Sequence, residues 1–205
     1  MDDTETICAN SYRDFHCKGF DYLCITRTPE LTRKVYFFEG DLHDLPELVM
    51  PHDHRYPFVT TVLAGAVRNK RFARLSTAVR KPSRDPALIP YDRFEYRTPL
   101  NGGDGFTWAA EEHLGELAHI SEGVIRGQSY RSSPKAIHTL DIRCEGTVIL
   151  LEQLGDVVPE GVPTNAWRRA GDHRTPPSLS GLYSKMTPDH AQHRLGQFLD
   201  LIGNR

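Results

Sequence analysis

The chain has 205 residues, 39% of them hydrophobic and 25% charged, with 25 Lys and Arg against 27 Asp and Glu for a net charge of −2. That composition supports a real core, and the near-neutral balance excludes attachment to nucleic acid through bulk positive charge. No apolar run approaches the roughly 20 residues that span a bilayer, and the acidic start Met1-Asp2-Asp3-Thr4-Glu5 lacks the basic-then-apolar order of a secretory leader, so a cytoplasmic protein with no membrane partner is expected.

Residues 1–18 are polar and without a clear period, and read as an arm or short helix. Residues 20–25 and 35–38 are strand-like runs separated by the turn signal Thr28-Pro29-Glu30. A loop over 40–46 delivers the chain to Pro51-His52-Asp53-His54-Arg55-Tyr56-Pro57-Phe58. The β-branched run that follows ends at Ala64-Gly65, and residues 52–63 and 66–75 read as a β-hairpin about that glycine. Residues 76–92, with Pro82, Pro86 and Pro90, read as a surface excursion. Strand character returns at 94–97 and 106–108 around the turn Asn101-Gly102-Gly103-Asp104-Gly105. The tract 109–127 is mixed: its Glu-rich start suits a turn of helix and 117–125 looks extended. Residues 137–140 and 147–151 are strands about a turn at Cys144-Glu145-Gly146. Residues 155–186 are rich in Pro, Gly and Ser and read as irregular, with Trp167 and Tyr183 as anchors. Thr187-Pro188 is a helix start, Thr at the N-cap and Pro at N1, and Ala191, Leu195, Phe198, Leu199 and Ile202 recur at helical spacing. The helix is expected on the outside of the body.

Many short strands, frequent turns and one late helix indicate an all-β sandwich or barrel. A single domain over 1–205 is expected, with its core over about 20–152 and a tail plus helix over 153–205. The cysteines Cys8, Cys17, Cys24 and Cys144 contain no Cys-x-x-Cys pair, which favours reduced thiols over a zinc knuckle.

His52 and His54 carry the chemistry. In an extended segment alternate side chains share a face, so both imidazoles point one way, and neutral imidazole suits Fe, Zn, Cu and Ni. Two histidines hold a cation loosely, and His138, just before a strand turn, is the candidate third ligand. His43 is the substitute if His138 fails. His113 and His119 read as ordinary surface or loop residues, and His190 and His193 as solvated residues of the last helix. If even-numbered residues after His54 face inward, Tyr56 and Phe58 line the same pocket. By parity from the turn, Asn69 and Arg71 face inward on the next strand, where an arginine would clamp a substrate carboxylate. Tyr130 is placed to orient substrate or supply a proton.

His52, His54 and Gly65 stand in the register of the first motif of the cupin superfamily, and Gly127, Pro134 and His138 resemble the second motif with altered spacing. The chain therefore resembles the cupins over roughly 35–152. The resemblance implies an antiparallel β-barrel of the double-stranded β-helix type, with an N-terminal arm and a C-terminal helix added here, and pairing of two chains through sheet edges. Phe58 occupies the slot where cupins usually place a glutamate ligand, so the metal set carried over is His52, His54 and His138. This is similar to the three-histidine subset, which includes the thiol dioxygenases. The strand after His138 has no tyrosine over 148–153, unlike cysteine dioxygenases, which argues against cysteine as substrate. The resemblance implies an Fe(II)-dependent dioxygenase or hydroxylase of a small polar molecule, an amino acid derivative for instance, with O2 as co-substrate. Zn, Ni or Mn in the same site would instead serve an isomerase, epimerase or lyase, and a cupin without catalysis would bind a small ligand.

Overall fold

The computed structural model describes residues 2–15, 18–39, 50–75, 89–159, 161–171 and 174–203. His43, Cys17, the loop over 40–46 and most of the excursion over 76–92 fall outside the described residues. The elements in order are α1 (Thr4–Ala9), β1 (Tyr12–Arg13), β2 (Phe20–Arg27), β3 (Leu31–Phe38), β4 (Phe58–Ala64), β5 (Ala66–Leu75), β6 (Ile89–Arg97) and β7 (Gly105–Glu116). They continue with β8 (Glu122–Ile125), β9 (Ser129–Ser132), β10 (Ile137–Ile142), β11 (Thr147–Leu154), β12 (Thr164–Arg169), β13 (Ser184–Lys185) and α2 (Pro188–Gly203).

The strands form two antiparallel sheets. The first has the order β13-β1-β2-β3-β11-β4-β9; the second runs β10-β5-β7-β6-β12, with β8 also paired to β5. The first sheet explains the unbroken apolar runs of the sequence, because both of its faces are buried. One face carries Tyr22, Tyr36, Phe58, Val62, Ile149 and Leu151 into a core shared with Val67 and Val124 of the second sheet. The other presents Leu23, Val35, Phe37, Leu63 and Val148 to Ile7 of α1 and to Ala191 and Phe198 of α2.

The helix α2 begins as its sequence indicates, with the Thr187 hydroxyl accepting from the backbone N–H of His190 at 3.3 Å. It docks through charge as well as apolar contact. The Arg194 guanidinium donates to Asp21 Oδ2 through Nε at 2.8 Å and Nη2 at 2.7 Å, and to both Glu39 oxygens at 2.6 Å. His190 is not simply solvated: its Nε2 lies 2.6 Å from the same Asp21 oxygen.

Three expectations change. Residues 58–64 and 66–75 are not a hairpin, because β4 pairs with β11 and β9 while β5 pairs with β7, β8 and β10. The chain crosses from one sheet to the other through Gly65 alone. Its φ is +72°, and a Cβ there would stand 2.3 Å from Thr147 Oγ1, so the crossing requires glycine. The Glu-rich start of 109–127 is not helical: it belongs to β7, whose glutamates pair with basic residues, Glu112 with Arg93 at 2.9 Å and Glu116 with Arg68 at 3.2 Å. The stretch 155–186 is not irregular throughout, since Thr164–Arg169 forms β12 on the edge of the second sheet and Trp167 is fully buried. Tyr183 does anchor the tail, its hydroxyl 2.9 Å from that of Tyr96 and its ring edge-on to Phe15.

Candidate metal centre

The His-x-His stretch lies in a short extended segment ahead of β4, threaded between the two edges of the second sheet. His52 and His138 exchange both backbone hydrogen bonds, at 2.9 and 3.0 Å, while the Pro51 carbonyl accepts from Trp167 N–H at 2.8 Å and Asp53 N–H donates to the Asn165 carbonyl at 3.0 Å. The sequence places the pair on the strand that runs to Gly65; the strand begins only at Phe58. The alternation of faces survives because the segment is itself paired on both sides.

Asp53, between the histidines, points the other way. Its two carboxylate oxygens accept from the backbone N–H and the Nδ2 of Asn165, each at 2.7 Å. Asn165 in turn accepts from Arg93, whose Nε donates to Glu112, which also accepts from the Trp167 indole. The middle residue of the motif thus fastens β12 to the segment and leaves both imidazoles facing inward.

The donor nitrogens of His52, His54 and His138 all lie within 4.8 Å of one another, a spread of the order that one cation bound at about 2.1 Å draws together. The Nε2 atoms of His54 and His138 are 2.9 Å apart. The Phe58 ring stands 4.7 Å from His54 and 5.5 Å from His138 between centroids, an apolar wall in the place of a fourth ligand. Burial pushes His138 well below the usual imidazole range and lowers His52 as well, in both cases because a charged ring would be poorly solvated. Both rings are therefore neutral at neutral pH, the state a metal requires.

Hydrogen bonds also orient the rings. His52 Nδ1 lies 2.8 Å from the Met50 carbonyl, which can only accept, so the proton sits on Nδ1 and Nε2 keeps its lone pair. His138 Nδ1 lies 2.9 Å from the side-chain amide of Asn69. With its oxygen toward the ring, Asn69 accepts Nδ1–H and frees Nε2. Turned over, its NH2 donates to Nδ1 and its oxygen takes two contacts of 3.2 Å from Arg71.

Two facing antiparallel sheets carry three inward histidines, two adjacent and one from a distant strand. This is the arrangement that the cupin resemblance of the sequence implies. No protein-family model and no curated protein matches the chain. Similar solved structures include hydroxypropylphosphonic acid epoxidase from S. wedmorenis, with 14% identity, 71% of this chain and 56% of that chain covered and a TM-score of 0.38. They also include KdgF from Halomonas sp., with 13% identity, 68% and 82% covered and a TM-score of 0.35. A third is hydroquinone 1,2-dioxygenase PnpCD in complex with Cd2+ and 4-hydroxybenzonitrile, with 12% identity, 78% and 73% covered and a TM-score of 0.36. The chain spans little more than half the length of the first of these.

A cleft of about 1610 Å³ opens over His52 and His54 and continues past Tyr56 to Lys34, Tyr22 and Arg27. Of the other residues singled out in the sequence, Tyr56 and Phe58 stand beside His54. Asn69 is fully buried against His138. Arg71 faces inward but is engaged by Ser132 Oγ at 2.8 Å and the Arg131 carbonyl at 2.7 Å, tying β5 to β9. Tyr130 packs in the core between the sheets, 6.3 Å from Phe58, and is not among the residues lining the cleft. Lys34 goes unremarked in the sequence, where it reads as the charged start of a strand. Its signal is parity with Tyr36 and Phe38, which both face inward.

Proposed function

We propose that this cupin-like protein is a metal-dependent oxygenase or hydroxylase of a small polar molecule. His52, His54 and His138 would hold a divalent ion, Fe(II) before Zn, Ni or Mn, and O2 would be co-substrate. One observation carries the reading: three histidines converge, two of them kept neutral by burial, with the His52 ring oriented by the Met50 carbonyl and the His138 ring by Asn69. Surface histidines have no need of that arrangement. Three neutral ligands leave a bound ion its full positive charge, and Fe(II) so held supplies dioxygen chemistry with positions open to substrate.

The remaining work falls to the chain. Phe58 excludes water from one side of the His54 and His138 rings and raises the strength of polar contacts there. The Met50 carbonyl holds the His52 proton on Nδ1, away from the cleft. Tyr56 lies along the path from the histidines to the rest of the cleft, and burial keeps its phenol protonated far above neutral pH, as a hydrogen-bond donor.

Elemental analysis of the purified protein is expected to find about one divalent ion per chain, and His52→Ala to lose most of it. The fold should persist in that variant, because the seam bonds of residue 52 are made by its backbone. Oxygen uptake on a panel of small polar acids then tests the oxygenase. Full metal retention by His52→Ala would overturn the metal reading, and turnover without oxygen would replace the oxygenase by an isomerase or lyase.

A further inference from the structure

Lys34 stands apart from the other lysines that the structure describes on this body. Lys18 reaches Asp14, Lys70 reaches Asp141, Lys185 reaches the Ala9 carbonyl and the Tyr12 hydroxyl, and Lys135 is exposed to solvent. Lys34 lies on the inner face of β3, is only 8% exposed, and has the Tyr56 hydroxyl at 3.4 Å as its hydrogen-bond partner among the described residues. Its ammonium also sits over two rings, 5.0 Å from Tyr56 and 5.6 Å from Tyr22. Among the described residues no carboxylate comes within ion-pair distance of it. The acid whose field reaches it, Asp156, is bound to Arg55 at 3.0 Å.

A buried ammonium carries three donors and is costly to bury without a partner anion. Ring faces offset part of that cost and cannot take the donors. A lysine serving only the fold would have been paired with a nearby acid, as Lys70 is, or replaced by an apolar residue. Lys34 instead lines the cleft that holds His52 and His54. Tyr56 is the step between them, its ring 5.0 Å from the Lys34 nitrogen and 5.3 Å from the His54 ring. Arg27 adds positive charge nearby through its bond to the Tyr22 hydroxyl at 2.9 Å. Arg71, which the sequence suggests for this role, is already engaged.

We propose that the cleft takes a small organic anion whose carboxylate, phosphonate or phosphate group seats on Lys34 and the Tyr56 hydroxyl, with its other end at the three histidines. This assigns the substrate class of the metal centre and rests on that reading. Burial lowers the Lys34 ammonium to about 8, so it remains mostly charged at neutral pH and able to receive such a group.

The test uses the full-length protein with whatever metal it carries. Propionate, ethylphosphonate and ethyl phosphate are titrated beside the neutral propionamide and propanol, with binding read by calorimetry. Tight anion binding with at least a tenfold weaker response to the neutral compounds is expected, and the three anions separate the kinds of oxyanion. Lys34→Met should lose that preference tenfold or more, Lys34→Arg should keep part of it, and metal content by elemental analysis should stay unchanged in both. A measurement on the unaltered chain needs no variant: cyanate carbamylation of Lys34, mapped by mass spectrometry, should be slowed by the preferred anion and not by its neutral counterpart. Equal binding of charged and neutral compounds, or undiminished anion binding by Lys34→Met, would overturn the proposal while leaving the metal centre standing. Anion preference in a protein that binds no metal would retain Lys34 as the anchor and remove the metal centre instead.

Discussion

At the scale of single residues, most of the centre could be read from spacing and the rest depended on where parity led. The His-x-His pair was legible because alternation needs only local extension. Asn69 was legible as inward and not as a partner of His138, since the pairing of β5 with β10 spans some seventy residues and has no local signal. That partnership has a consequence for affinity. Asn69→Ala would leave the His138 ring without the side-chain amide that orients it, and partners of this kind typically account for 10- to 100-fold in metal affinity. Competition with a metal-sensitive dye should show a loss of that order, with Asn69→Gln no substitute because its amide is displaced by one methylene.

Lys34 makes a second prediction at this scale, with a sign that follows from its burial. The folded-state value is about 8 against the ordinary 10.5, so between those two pH values the unfolded chain holds a proton that the folded chain has released. Stability from this group therefore rises with pH across that window, and the penalty is fully present below pH 8. The magnitude is on the order of 3 kcal/mol. Lys34→Met should be more stable than the parent near pH 7 in urea titrations, with the difference shrinking toward pH 10.5. A constant difference across that range would show that Lys34 is not the titrating group.

At the scale of elements, residues with both faces buried announced β2, β3 and β11, and the capped amphipathic pattern announced α2. Two elements misled. The crossing at Gly65 looks like a hairpin because a turn glycine between two strand-like runs says nothing about which sheet receives the second run. β12 was hidden because its burial does not alternate, Ala166 and Trp167 being buried side by side and Arg168 and Arg169 exposed side by side, within a Pro- and Gly-rich neighbourhood. The docking of α2 rests on Arg194 and Asp21, each 5% exposed. Arg194→Met would take from buried Asp21 its permanently charged partner and leave it the His190 ring, a loss of up to about 3–5 kcal/mol measurable by chemical denaturation, whereas replacing both Arg194 and Asp21 with apolar residues should cost far less. The Glu39 arm of the cluster is the acid-sensitive one. Its hydrogen bonds to Arg194 hold the carboxyl below the ordinary value of 4.5, so its contribution is present above that pH and fades as pH falls through the depressed value.

At the scale of the whole molecule, the two sheets were predictable as a class, and the closure of one of them was not. The edge strands β10 and β12 are both bridged by His52, through His138 on one side and Ala166 on the other. The segment that presents two imidazoles is therefore also the seam joining the ends of the second sheet, and the third imidazole belongs to the residue with which it shares a pair of backbone bonds. An ion seated there would be held less firmly whenever this seam opens, because the opening separates His52 from His138. Its residence time would then be set by breathing of the sheet as well as by the strength of three nitrogen bonds, and extraction by a chelator would quicken in urea too dilute to unfold the chain.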